Sequence, residues 1–367
     1  MKKIGIITTS NAINYGAVLQ AFALKKSLQA VFNGEVEIIN YCGSLRVTGR
    51  EYYRENTSIK NLIYNLVSFM NFAYKRNRKR LINKFDDFKR ASLELNDHVL
   101  YTKEEIEKSM DYDTLVCGSD QIWNLNLYKD DVFFLRFEEN YPDIKYCSYA
   151  ASIAESMTEE QEKYISKSIS HFDLLSVRET ASIELVENLS NKKVQLVTDP
   201  VYLLDSVTWN SIISGIKNRF SEKYTLVFMI GHSKSDQIIV DKICNDSGFK
   251  VVVIELHPLR YIKGDYYVFD ASPLEFVSLI KNAEMIITDS FHATSFSIIF
   301  NKEFYTVPRG KRNSRTENLF DMFGLEKRYV TYDTTIKRKQ IPYKDVNDKI
   351  KIQRDISFAY LEQIVGE

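Results

Sequence analysis

The chain has 367 residues, 44% hydrophobic and 27% charged, enough apolar material for two globular domains and too much for a disordered chain. Lys plus Arg and Asp plus Glu both number 49, so no net charge points to nucleic acid, and no run approaches the roughly 18 apolar residues of a membrane span. Four widely spaced cysteines (Cys42, Cys117, Cys147, Cys244) without a C-x-x-C pair read as reduced cytosolic thiols, and a soluble, cytoplasmic protein is expected.

The start, Met-Lys-Lys-Ile-Gly-Ile-Ile, is interrupted too early by Thr8, Thr9, Ser10, Asn11 and Asn14 to be a signal segment, and reads as a first strand. Short apolar runs then alternate with helical patterns. Strands are predicted at 3–9, 36–40, 114–118, 144–150, 174–177 and 194–198. A second series follows at 225–230, 251–256, 267–269, 285–288 and 304–307. Helical spacing is seen at 17–31, 159–169, 236–246 and 273–281, among others. This alternation predicts an α/β protein with parallel sheets and right-handed crossovers. A break at 199–206 suggests two Rossmann-like domains facing across a cleft, residues 1–205 and 206–344, with 345–367 as a closing helix.

One segment departs from that rhythm. Residues 59–90 carry apolar residues at helical spacing, and 75–90 holds eight Lys or Arg against two Asp. A basic amphipathic helix or helix pair is expected, taken here as an insert in the first domain. It suits either an anionic membrane surface or a sheet-packed helix with a solvated charged face.

No P-loop, dinucleotide-binding, nucleophile-elbow or H-E-x-x-H signature is present. The five histidines lack metal-ligand spacing, so no metal is expected. Polar clusters do recur after predicted strands, where open α/β sheets bind ligands. The first runs from Thr8 to Gly16 and leads into a helix, with Asn14, Tyr15, Gly16 and Gln20 as candidate ligand contacts; Asn and Gly there are equally good turn formers. The second is Gly118-Ser119-Asp120-Gln121-Ile122-Trp123-Asn124, whose carboxylate, amide and indole groups suit a sugar site, or a capped turn with Trp123 in the core. Arg178, followed by Glu179, suits anion recognition or a structural ion pair, and Asp199-Pro200 closes the first half. The last strand leads into Arg309-Gly310-Lys311-Arg312-Asn313-Ser314-Arg315, a candidate electrostatic clamp.

The most informative stretch is residues 285–300. Met285–Ile287 reads as a buried strand, Thr288-Asp289-Ser290 as a helix-capping turn, and His292 falls in the first helical turn. Helix N–H groups there favour an anion, although a lone His is also often a buried residue satisfied by backbone.

Together these residues resemble the polysaccharide pyruvyl transferase family. The matching pieces are Asn14-Tyr15-Gly16-Ala17-Val18-Leu19-Gln20, Gly118-Ser119-Asp120-Gln121-Ile122-Trp123-Asn124, Ser176-Val177-Arg178-Glu179, Thr198-Asp199-Pro200, Asp289-Ser290-Phe291-His292 and Asn313-Ser314-Arg315. The resemblance implies a GT-B-like architecture and transfer of a pyruvyl group from phosphoenolpyruvate to sugar hydroxyls as a ketal, in bacterial exopolysaccharide, capsule or cell-wall glycan synthesis. Phosphoenolpyruvate is then the donor substrate and no cofactor is needed. The first domain would take the glycan acceptor and the second the donor. If the basic insert rests on the inner face of the membrane, the acceptor would be lipid-linked.

The family places an Arg two positions before the His, where it helps bind the donor phosphate; this chain has Ser290. Either another cation serves, with Arg178 or the 309–315 loop (Arg312 and Arg315 among its cations) the candidates, or this branch uses a different donor or acceptor arrangement. His292 would bind phosphate or transfer a proton, Asp120 would act as base, and Trp123 would orient the sugar. Gln121, Asn124, Asp199, Asp289 and Ser314 complete the candidate site. A nucleotide-sugar glycosyltransferase and a non-catalytic glycan-binding protein remain alternatives.

Overall fold

The computed structural model describes residues 1–42, 49–127, 130–153, 157–231, 233, 235–245, 247–308, 314–326, 328–331, 333–334, 336 and 340–366, with Ser314 described in its backbone only. The chain forms two compact units. One comprises Met1–Gly49, Lys89–Leu204 and Ile350–Glu367, the other Arg50–Phe88 and Asp205–Lys349. Each is α/β with wholly parallel sheets, the Rossmann-like class predicted from the alternation.

The first unit contains β1 (Lys3–Ile7), β2 (Glu35–Ile38), β3 (Thr114–Cys117), β4 (Asp120–Trp123), β5 (Lys145–Ser148), β6 (Ala151–Ile153), β7 (Leu175–Val177) and β8 (Val194–Leu196). They form two four-stranded sheets, ordered β2-β1-β3-β5 and β4-β6-β7-β8. Apolar runs such as Ile4, Ile6 and Ile7 are buried to about the same degree on both faces, as expected for parallel strands covered on both sides. Strand β3 bends into β4, and β5 into β6, at neighbouring points. The bends carry Asp120 at φ +81° and Ala150 at φ +53°, the left-handed region that most side chains avoid. Strands β4 and β6 were not predicted, because three or four residues after a bend carry too little periodicity.

The second unit contains β9 (Tyr224–Phe228), β10 (Lys250–Ile254), β11 (Tyr266–Val268), β12 (Met285–Thr288) and β13 (Glu303–Thr306), ordered β11-β10-β9-β12-β13. Phe228 pairs with both Ile254 and Thr288, and Thr288 with Thr306, so the carboxyl ends of four strands finish level. Val227, Val253 and Ile287 of the sheet pack with Ile239, Val240 and Ile243 of the helix Asp236–Cys244.

Both units reverse strand order beside their first strand. After β1 the chain goes to β2 on one side and to β3 on the other. After β9 it goes to β10 and β11 on one side and to β12 and β13 on the other. The carboxyl ends at such a switch point leave a crevice, since the two connections lead away in opposite directions.

One segment belongs to the unit opposite the one expected, and the closing helix, expected of neither domain, divides between the two. The insert, a helix pair Ile59–Met70 and Phe72–Phe88, packs with the second unit. Lys84 Nζ lies 2.8 Å from Glu275 Oε2, Asn71 Nδ2 donates to the Pro258 carbonyl at 3.4 Å, and the rings of Tyr64 and His257 meet edge to face. The final helix, Tyr343–Val365, ends in the first unit. There Tyr360 Oη donates to the Ser148 carbonyl at 2.8 Å and Ser357 Oγ accepts from the Thr198 amide at 3.0 Å. Which sheet a helix covers depends on long-range packing, which periodicity does not encode.

Candidate functional site

At the first unit's switch point, Gly118 donates its amide to the Ile7 carbonyl at 2.8 Å. A Cβ on Gly118 would meet Leu24 and Thr8 at 3.1 Å, so this close approach of β3 to the turn after β1 favours glycine. Gln20, buried on the helix Tyr15–Val31, donates Nε2 to Thr8 Oγ1 at 2.8 Å, and Thr8 Oγ1 reaches the Ser119 carbonyl at 3.4 Å. Asn14 caps this helix by accepting from the amides of Gly16 and Ala17 at 2.9 and 3.4 Å. Those two amides are therefore committed to the cap.

Arg178 follows β7 and is only 3% exposed. Its Nε donates to Glu179 Oε1 at 2.8 Å, its Nη1 to Asp199 Oδ2 at 2.7 Å, and its Nη2 lies 3.5 Å from Asp120 Oδ1. Ser119 Oγ adds a donor to Asp199 at 3.4 Å, and Ser152 Oγ donates to Glu179 at 2.9 Å. Burial draws the guanidinium pKa down, but Glu179, Asp199 and Asp120 outweigh it and hold the pKa above its ordinary value. One cation surrounded by three carboxylates makes a poor anion trap. The geometry instead fixes Asp120, half-buried and in left-handed backbone, at the bend between β3 and β4. Non-glycine residues held in that region cost about 1–3 kcal/mol and cluster at functional sites.

Burial corrects one expected ligand contact. Trp123 is fully enclosed: its Nε1 donates to the Phe133 carbonyl at 3.2 Å, and its ring stacks on Phe134 and meets Phe172 edge-on. No ring face remains for a sugar. Tyr15, Gln20 and Ser119 are also buried. Gln121 and Asn124 are half-buried, and the Asn124 carbonyl oxygen Oδ1 accepts from the Asn126 amide at 3.1 Å as a turn residue.

At the second unit's switch point, Asp289 ties β12 to the turn after β9. Its two carboxylate oxygens accept from the Ile230 and Gly231 amides at 2.6 and 2.8 Å. Thr288 Oγ1 donates to the Phe228 carbonyl at 2.6 Å and accepts from the Ser290 amide at 3.0 Å. Ser290 is the N-cap of the helix Phe291–Ile299, accepting from the Ala293 amide at 3.4 Å. His292 occupies the first turn of that helix, 8% exposed, with the Phe291 ring edge-on at 5.1 Å. The strand, turn and helix of residues 285–300 are thus as predicted.

Arg315, in the first turn of the helix Ser314–Phe323, puts its guanidinium 5.8 Å from the centre of the Phe291 ring, within cation–π reach. A cation is therefore attached to the Ser290–His292 segment although Ser290 carries none. Arg312 and the rest of 309–313 lie outside the described residues, as does the Ser314 side chain.

Two further carboxylates stand at these strand ends: Glu179, read from sequence only as an ion-pair partner of Arg178, and Glu255, which sequence alone did not single out. Glu179 shares Arg178 with Asp199. Glu255 follows β10, on the other side of β9 from Asp289, and is 4% exposed. Burial pushes its carboxyl up to about 7, against partial relief from the His257 and Tyr261 amides and Arg260. Its signal was an acid directly after the apolar run Val251–Ile254. Among the described residues no three His, Cys, Asp or Glu side chains converge as metal ligands. The four cysteines form no disulfide, and among the described residues no helix is long and apolar enough to cross a membrane.

Comparison with known proteins gives the same assignment from a different direction. The UDP-GlcNAc 2-epimerase of Methanocaldococcus jannaschii is 14% identical, with 97% of this chain and 93% of that chain covered and a TM-score of 0.51. This is a likeness of fold, of the GT-B type. S. aureus MnaA, solved with UDP, is 12% identical over 100% of this chain and 91% of that one at a TM-score of 0.48. The E. coli ADP-heptose lipopolysaccharide heptosyltransferase II is 12% identical over 96% and 98% at 0.40. No curated protein matches in sequence. The sequence model of polysaccharide pyruvyl transferases matches residues 14–310, a span that holds Asp120, Arg178, Asp289 and His292 and ends before Arg315. The chain belongs to the polysaccharide pyruvyl transferase family.

Proposed function

We propose that this protein transfers the pyruvyl group of phosphoenolpyruvate to two hydroxyls of a glycan, forming a cyclic ketal and releasing phosphate. The observation that carries the reading is the match over residues 14–310, with acid–base groups and a cation present in the two switch-point clusters.

The chemistry sets the requirements. A proton must reach the methylene carbon of the donor, giving an oxocarbenium-like centre at C2. A sugar hydroxyl adds there and gives up its proton, phosphate departs with the C–O electron pair, and a second hydroxyl closes the ring. General acid–base groups contribute about 10²–10⁴-fold when held in position. Glu255, whose carboxyl burial pushes up to about 7, and His292 are suited to supply the proton and to receive the phosphate. Asp120, 3.5 Å from Arg178 Nη2, is suited to deprotonate the hydroxyl. Arg315 takes the donor-binding role that Ser290 cannot fill, since a guanidinium binds phosphate or carboxylate through paired donors. Arg178 is a positioning residue in this scheme, acting through Asp120. We further assign the acceptor to bacterial surface-glycan precursors carried on a lipid at the inner face of the membrane.

The test is incubation with phosphoenolpyruvate and a panel of glycan acceptors, with phosphate release and acceptor mass as readouts. A pyruvyl mass gain is expected. Thermal protection by nucleotide sugars but not by phosphoenolpyruvate would favour a glycosyltransferase instead. Glycan binding with no phosphate release would indicate a non-catalytic protein.

A further inference from the structure

The helix Ile59–Met70 is built inside out. Tyr64 and Ser68 face inward and are buried, whereas Ile59, Leu62, Ile63, Leu66, Phe69 and Met70 are 50–78% exposed. These six fall at intervals of three and four residues, on one helical face. Soluble proteins seldom leave so continuous an apolar stripe uncovered without a partner for it. The helix is nonetheless firmly held from behind. Tyr64 Oη and Tyr74 Oη lie 2.8 Å apart, joining it to the helix Phe72–Phe88, and Asn71 bonds the Pro258 carbonyl.

Charge chooses the occupant. From residue 56 to residue 85 there is no Asp or Glu, and there are seven Lys or Arg. Lys60, Arg76, Lys79 and Arg80 are exposed, and Lys75 Nζ sits 4.7 Å from the Phe69 ring centre, beside the stripe. A second copy would bring the same cations against these, which disfavours self-association. An apolar stripe bordered chiefly by cations, with Glu55, Asp86 and Asp87 only at the ends of the helix pair, matches a bilayer with anionic headgroups, where side chains enter the acyl boundary and cations stay at the phosphates.

We propose that the helix pair Ile59–Met70 and Phe72–Phe88 docks the protein on an anionic lipid bilayer. The pair is fastened to Pro258 and His257, in the loop that follows Glu255 at the carboxyl end of β10. Docking through it brings that end of the second unit's sheet to the membrane surface. This extends the lipid-linked acceptor assigned above, but rests on the surface alone and needs no donor or acceptor to be tested.

The test is sedimentation of the full chain with vesicles of phosphatidylglycerol and phosphatidylcholine, against phosphatidylcholine alone, at low and high salt. Wild type is expected to bind the anionic vesicles and to weaken by at least about tenfold at high salt. Leu62→Ser with Leu66→Ser, and separately Lys75→Gln with Arg76→Gln, Lys79→Gln and Arg80→Gln, should each lose binding while keeping the wild-type melting temperature. No binding of wild type at low salt overturns the proposal, as does undiminished binding by both variants. A concentration-dependent dimer abolished by Leu66→Ser would also overturn it, by showing a second copy on the stripe. Transfer to a soluble acceptor without vesicle binding would sink the docking surface and leave the transferase reading standing.

Discussion

The guanidinium of Arg315 lies 5.8 Å from the centre of the Phe291 ring, and Phe291 stands between Ser290 and His292. A cation from a later helix is thus attached, through an aromatic ring, to the segment whose own sequence lacks one. If Arg315 grips the donor, Arg315→Gln should raise KM for phosphoenolpyruvate by about 10- to 100-fold, the worth of one charged hydrogen-bonding group. Its melting temperature should stay unchanged, because the side chain is only half-buried. Arg315→Lys should recover part of the loss. An unchanged KM in Arg315→Gln would falsify the role.

Arg178 behaves differently in this picture. Its removal leaves Asp120, Glu179 and Asp199 clustered without their shared cation. Breaking a buried pair from one side costs about 3–5 kcal/mol, so Arg178→Met should show that loss in denaturant unfolding. Arg178→Lys should recover little, because an ammonium cannot span three carboxylates as the planar fork does. A melting curve like wild type for Arg178→Met would mean that the cluster contributes no net stability.

Asp120 combines a carboxylate with left-handed backbone at φ +81°. Asp120→Gly removes the strain and one of three like charges around Arg178. The variant should be more stable by about 1 kcal/mol and should lose transfer by at least about 100-fold. Asp120→Asn should lose activity equally while keeping the strain. If Asp120→Gly retained activity, another group would have to be the base.

Burial holds the Glu255 carboxyl at about 7, against an ordinary 4.5. The folded state therefore binds this proton more tightly than the unfolded chain. The associated stability is complete below the unfolded pKa, falls as pH rises to about 7, and is constant above. The full change is roughly 3 kcal/mol. Glu255→Gln should flatten the stability profile over that window, seen by comparing denaturant unfolding at about pH 5 and about pH 8. It should also remove the alkaline limb of the pH–rate profile if Glu255 delivers the proton.

Much of the second unit's site was legible because its signals are local. Met285–Thr288 is an apolar run, and Ser290 is a capping residue at the start of the helix that carries His292. Such patterns depend on residues a few positions apart. Trp123 shows the limit. Within Gly118–Asn124 nothing distinguishes an indole that stacks on a ligand from one enclosed by Phe133, Phe134 and Phe172, since those rings arrive from later in the chain. Arg178 is similar: its neighbour Glu179 was visible, but Asp120 and Asp199 meet it only after β4, β6, β7 and β8 align.

By itself, the sequence determined two parallel α/β units, their strand-end clusters and the basic amphipathic character of residues 59–90, because periodicity, capping and charge are written over short spans. The tertiary structure decided which residues face outward and which sheet each helix covers. It made Trp123 core, gave Arg178 three carboxylates and moved the 50–88 segment to the second unit. It also turned the apolar side of Ile59–Met70 toward solvent. Those outcomes arise from contacts between residues far apart in the chain, where burial and charge pairing are settled only when the whole fold closes.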